Sequence, residues 1–172
     1  MRAIFALFSF VLAGAAGATP QPLQLGALKL VPASCSVRQT LWIEHYEAHL
    51  LLPPGTSVAA VGDPSKAKAL RMHVMNPKFM PAEIPSRWRD ALDGVVEPQT
   101  MARLRDAYKS LGRGDTVLVA YAPGQGVQLQ VNDKPIGQVQ GHAAVDALLK
   151  TWADKEPPVK KLHDTASRNP CR

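Results

Sequence analysis

Ser36-Val37-Arg38-Gln39-Thr40-Leu41-Trp42-Ile43-Glu44-His45-Tyr46-Glu47-Ala48-His49-Leu50-Leu51-Leu52-Pro53-Pro54-Gly55 carries the architecture of this chain. From Arg38 to Leu52 it is the most strand-like part of the N-terminal half. Side chains two apart on a strand share a face. Trp42, Tyr46, Leu50 and Leu52 fall on one parity, Ile43 and Leu51 on the other, so the later portion is apolar on both faces. That pattern predicts a central strand with cover on each side. Pro53-Pro54-Gly55 ends it.

Outward from this strand the elements are mostly β. Leu25 to Leu30 alternates weakly and predicts a short first strand. Ser65 to Ala69 suits a helical turn, and Leu70 to Met75 a strand broken by Asn76-Pro77. Two helices follow. One covers about Ala82 to Leu92, with Pro85 in its first turn. The other runs from about Pro98 to Leu111, with Pro at its start and Gly112 just past its end. Its apolar stripe is Met101, Leu104, Tyr108 and Leu111. Thr116 to Tyr121, Gly126 to Val131 and Pro135 to Val139 read as strands, with Asn132-Asp133 as a two-residue hairpin turn. A third helix spans about Ala143 to Ala153, and Pro157-Pro158 stops it. Hairpins with helices clustered between and after them predict an α+β domain: a curved antiparallel sheet with a layer of helices on one face. The cleft between the layers is the natural ligand site.

The N-terminus reads as a secretory signal. Arg2 supplies the positive end, Ile4 to Ala13 the apolar run and Ala16-Gly17-Ala18 the cleavage pattern. The expected organisation is a cleaved signal peptide (1–18), one domain (19–160) and a flexible tail (161–172), in the periplasm or secreted. The apolar run is short for a bilayer, which takes about 20 residues, so no stable membrane insertion is expected. Among the 172 residues, 20 basic against 14 acidic residues give a charge of +6. The basic residues are scattered, with no stripe of aromatic stacking partners, which argues against nucleic acid. Cys35 and Cys171 lack redox C-x-x-C spacing. In an oxidising compartment they are a candidate disulfide, the alternative being two free thiols.

Other constellations carry less. His45 and His49 share a strand face, but four strand steps span about 13 Å, too far for one metal ion. No metal and no cofactor is expected. No G-x-S-x-G occurs, and Gly124-Gln125-Gly126 lacks the rest of a dinucleotide fingerprint. From spacing alone Trp88, Tyr108 and Trp152 read as core, and Asp115 as a turn cap. Arg38 reads as an exposed strand arginine paired with Glu44 or Glu47, and Tyr46 as a core tyrosine.

An ordered set of short signals adds to this. Ser36-Val37-Arg38, Tyr46 to Pro53, Gly112-Arg113-Gly114-Asp115, Tyr121 to Gly126, Asn132 to Gly137 and Ala147 to Trp152 with Glu156-Pro157 follow in this order. Together they resemble the chalcone isomerase-like proteins that bacteria export to the periplasm, over about Leu25 to Pro158. The resemblance implies an open-faced β-sandwich whose cleft holds a ligand. In the enzymes of that superfamily an arginine polarises the substrate, and a threonine and a tyrosine with ordered water assist ring closure. A fatty-acid-binding branch keeps the arginine and has a tyrosine in place of the threonine. Here the arginine matches Arg38 and the threonine position matches Tyr46. The enzyme tyrosine falls near Pro81 or Ala82, where no hydroxyl exists, and the enzyme asparagine near Arg89. Thr151 matches a small hydroxyl residue of the cleft.

These departures imply no catalytic residue. They imply non-catalytic binding of a small apolar or acyl ligand with an acidic head, such as a fatty acid. Arg38, Tyr46, Thr151 and Trp88 are the expected ligand-binding residues. The alternative is an isomerase of the intramolecular lyase type acting on an enone-like substrate, and a third reading is an envelope interaction protein whose cleft is vestigial and filled with side chains. A guanidinium presents a planar fork of donors to a carboxylate, and a phenol can add a third bond. The expected apolar wall is Leu50, Leu52, Ile84, Trp88, Leu104, Leu148 and Trp152. One geometric condition applies. On one straight strand, residues 38 and 46 would stand about 27 Å apart. A shared carboxylate therefore requires a tight turn or strong bulge near Thr40 to Trp42.

Overall fold

The computed structural model describes residues 21–153. The expected signal peptide, the tail and Cys171 lie outside the described residues. Seven strands form one sheet in sequence order, each antiparallel to the next. They are β1 (Leu23–Leu25), β2 (Leu28–Thr40), β3 (Ile43–Leu52), β4 (Lys68–Val74), β5 (Thr116–Ala122), β6 (Gly126–Val131) and β7 (Lys134–Val139). The helices are α1 (Ser86–Leu92), α2 (Pro98–Lys109) and α3 (Ala143–Ala153). The sheet curls into a half-barrel, and the domain is α+β as expected.

The stretch read as one strand from Arg38 is two. Leu41 and Trp42 form a turn, and Thr40 pairs with Ile43 across it. Leu41 adopts φ +56, a left-handed backbone that a bulky residue rarely takes. Nothing in the local composition announces this turn. The expected strand over Leu25 to Leu30 is likewise a hairpin, because Gly26 takes φ +59 between β1 and β2. The expected helical turn at Ser65 to Ala69 is a turn around Asp63–Ser65, with Lys68 and Ala69 already in β4. Asn132 and Asp133 both have positive φ, as a two-residue hairpin turn of this kind demands. Asp115 accepts from the Gly112 N–H at 2.6 Å and so caps its own turn.

Both faces of the sheet are buried in the middle. On the inner face Tyr46, Ala48, Leu50 and Leu52 of β3 join Leu70, Met72 and Val74 of β4 beneath the helices. On the outer face Leu51 packs with Leu25 and Leu30 against Ala69, Leu118 and Ala120. The small alanines let the β1–β2 hairpin lie close on that side, assisted by a register shift in β2 between Pro32 and Ser34. This is the two-sided cover that the apolar parity of β3 requires. The helix layer is uneven: α2 buries Thr100, Met101, Leu104 and Tyr108, whereas α1 fully buries only Leu92.

A buried ion pair pins α3 to the sheet. Lys68, at the start of β4, has no solvent exposure. Its Nζ donates to the Val61 carbonyl at 2.8 Å and to Asp146 Oδ1 at 2.7 Å, and lies 5.6 Å from the Tyr121 ring centroid. Asp146, in the first turn of α3, also meets His142 Nδ1 at 2.6 Å.

Candidate functional site

Because the turn falls at Leu41–Trp42, β2 doubles back on β3 and sets Arg38 directly opposite Tyr46. Cross-strand partners share a face with Cβ atoms about 5 Å apart. The geometric condition for a shared anion site is met. Tyr46 lies on the inner face, so Arg38 points to that side as well, at the sheet end where the hairpin closes. Arg38 is exposed and makes no ion pair with Glu44 or Glu47 among the described residues. Glu47 instead pairs with His49 Nε2 at 3.3 Å on the outer face, and Glu44 stands opposite Gln39.

Tyr46 is nearly fully buried and packs edge-on against Trp88 of α1, with ring centroids 6.5 Å apart. Burial drives its phenol well above the ordinary tyrosine range. The Arg38 charge partly opposes that shift, and Tyr108 adds to it. The Tyr46 hydroxyl therefore stays protonated and able to donate. Burial likewise pushes Tyr108 up to about 12. Beside these rings, between the sheet and the helices, lies an apolar cavity of about 50 Å³. A water occupies a share of about 30 Å³ in the liquid, and a cavity of about 150 Å³ accepts benzene. This interior is mostly filled, and an acyl chain requires it to open.

Of the expected wall, Ile84, Trp88, Leu104 and Leu148 line the cavity. Leu50 and Leu52 belong to the same core but not to the lining, and the Trp152 side chain lies outside the described residues. The sheet side of the cavity comes from Leu70, Met72, Val117, Val119 and Leu129. Thr151 is not part of it: its Oγ1 donates to the Leu148 carbonyl one turn back in α3, at 2.7 Å. The structure thus sets Arg38 opposite Tyr46 and Tyr46 against Trp88, of which only Trp88 lines the cavity, and leaves Thr151 apart. Tyr108 joins them, although its spacing reads only as the apolar stripe of α2. Helical periodicity identifies its face but not the strand side chains that face meets. A separate polar groove of about 260 Å³ between α1 and α2 is lined by Glu83, Arg89, Arg105 and Lys109, and touches the cavity only through Ile84.

Pro81 and Ala82 occupy exposed positions before α1 and offer no hydroxyl. His45 stacks on Phe79, with ring centroids 5.6 Å apart, and takes no part in the inner-face arrangement.

A family model described as chalcone isomerase-like matches residues 13–165. Among solved structures, a fatty-acid-binding protein of Arabidopsis thaliana superposes with a TM-score of 0.51 at 14% identity, over 86% of this chain and 93% of that one. Comparison with curated proteins finds no match.

Proposed function

Because this chain belongs to the chalcone isomerase-like family, we propose that it is a non-catalytic binder of a small apolar molecule with an acidic head, such as a fatty acid. The observation that carries this reading is the pairing of Arg38 with Tyr46 across β2 and β3. A permanent cation with a planar donor fork and a phenol that stays protonated face one side of the sheet, beside an apolar cavity. Both recognise a carboxylate, the guanidinium through two parallel bonds. One solved neighbour with this fold is a fatty-acid-binding protein, which supports the same reading. Ring closure of an enone lacks support, since Pro81 and Ala82 stand where the enzymes carry a hydroxyl.

The present cavity is too small for an acyl chain, so binding requires the helix layer to move. The segment to move is α1. It has seven residues, buries only Leu92 fully, and contributes Trp88 to the cavity wall. Local opening costs less where few side chains are fully buried, although α1 also packs on α3. We place the mature protein, beginning at Thr19, in the periplasm or outside the cell.

Native mass spectrometry of protein recovered from an exporting host tests all of this. The expected result is a chain starting at Thr19 with a co-purified acyl ligand, and Arg38→Ala free of that ligand. Arg38 is exposed, so the substitution should change stability by no more than about 0.5 kcal/mol. Ligand retained by Arg38→Ala removes the anchor role. Absence of ligand, together with no saturable uptake of a fluorescent fatty acid, removes the binding function.

A further inference from the structure

We propose that the tip of the β2–β3 hairpin, Leu41–Trp42, is a docking element for a phospholipid surface. Leu41 is 74% exposed and Trp42 82%, the most exposed large apolar side chains among the described residues. Exposure of one such residue is ordinary. Two at a tight turn, one of them strained, is not.

The other hairpins of this chain show what turn chemistry normally looks like. Gly26 serves between β1 and β2, Gly124 between β5 and β6, and Asn132-Asp133 between β6 and β7. Each residue tolerates positive φ. Among the described residues only the β2–β3 turn places a bulky apolar residue there, Leu41 at φ +56. Strain of this kind persists where the surroundings compensate for it, and it clusters at functional sites. No packing compensates here, since both side chains project into solvent.

The surroundings of the tip suit a bilayer interface. Phe79, 46% exposed, stacks on His45 three residues from the turn, so a third apolar side chain lies toward the same end of the sheet. Arg38 and Lys78 are exposed cations toward that end and Glu44 an exposed anion. Tryptophan, with an apolar body and one N–H donor, favours the headgroup level of membranes, and the cations complement lipid phosphates. A stable protein interface commonly buries about 1,200–2,000 Å², far more than a convex two-residue tip presents. No helix among the described residues is long and apolar enough to cross a membrane. Arg38, three residues from Leu41, would then sit at the lipid surface. A direct transfer of ligand from bilayer to cleft rests on the binding function proposed above; the docking itself does not.

The test is flotation of the mature chain with vesicles of phosphatidylethanolamine and phosphatidylglycerol, compared with the double variant Leu41→Gly, Trp42→Ser. Wild type should float with the vesicles, and the variant should lose about tenfold or more in partitioning. The variant should also unfold at equal or higher denaturant, because glycine relieves the positive φ. That readout separates docking from a structural role. Wild type that ignores vesicles overturns the proposal and leaves the tip to a protein partner. Self-association that depends on the tip and needs no lipid also overturns it, in favour of a second copy. Acyl ligand should remain bound in the tip variant, so failure of docking and failure of ligand binding read out separately.

Discussion

Asp146→Ala should be the most damaging single substitution at the junction of sheet and α3, and its size follows from the geometry. Lys68 Nζ is wholly buried and has Asp146 as its counter-charge, at 2.7 Å. Removing one partner of a buried pair costs about 3–5 kcal/mol, because the other charge stays buried and uncompensated. Asp146 itself keeps 23% side-chain exposure, and the Val61 carbonyl and the Tyr121 ring still face the ammonium. The lower end, about 3 kcal/mol, is therefore expected. Lys68→Met is milder. It keeps the volume, leaves Asp146 with His142 and water, and deprives only the Val61 carbonyl of a donor, for about 1–2 kcal/mol. The double variant should resemble Lys68→Met alone, giving a coupling of about 3 kcal/mol between the sites. Urea unfolding at pH 7, with m-values that stay constant, measures all three. Two results refute the reasoning: Asp146→Ala within about 1 kcal/mol of wild type, or a double variant whose loss is the sum of the singles. Because α3 carries Leu148 into the cavity wall, Asp146→Ala should also speed uptake of an apolar probe.

Two further outcomes are expected. Burial holds His49 below the ordinary histidine range; the bond and charge of Glu47 pull it back up, while Arg71 and His73 add repulsion. Its folded value lies below its unfolded one, near 6.5, so this stability is complete above about pH 6.5 and is lost as pH falls toward the folded value. His49→Gln should flatten the denaturation midpoint between about pH 7 and 5, and an unchanged slope would exclude the role. We also propose that Cys35, buried on β2, is joined to Cys171. Unfolded protein from an oxidising host should then react with a thiol reagent only after reduction, and reduction should cost about 4–5 kcal/mol. Reaction without reduction removes the bond.

The periodic and punctuating residues were legible in the chain itself. Alternation in Val127, Leu129 and Val131, proline and glycine bracketing α2, and Asn132-Asp133 at a hairpin all act within a few residues, so their meaning survives without a fold. The two apolar parities of β3 correctly required cover on both faces, because a side chain leaves water whichever neighbour removes it. Arg38 and Tyr46 were singled out through resemblance, together with the condition that the chain must turn between them.

Tertiary structure alone decided the rest. Leu41-Trp42 has no turn chemistry, so only the pairing of β2 with β3 reveals the turn and the resulting register. Lys68 lies in the stretch expected as a helical turn, and only the fold shows α3 bringing Asp146 over it, since a charge can be buried only where a distant partner arrives. Thr151 lies on the expected helix, but its hydroxyl bonds within that helix. The size of the cavity depends on how side chains from three strands and three helices interlock, a volume that no local pattern along the chain encodes.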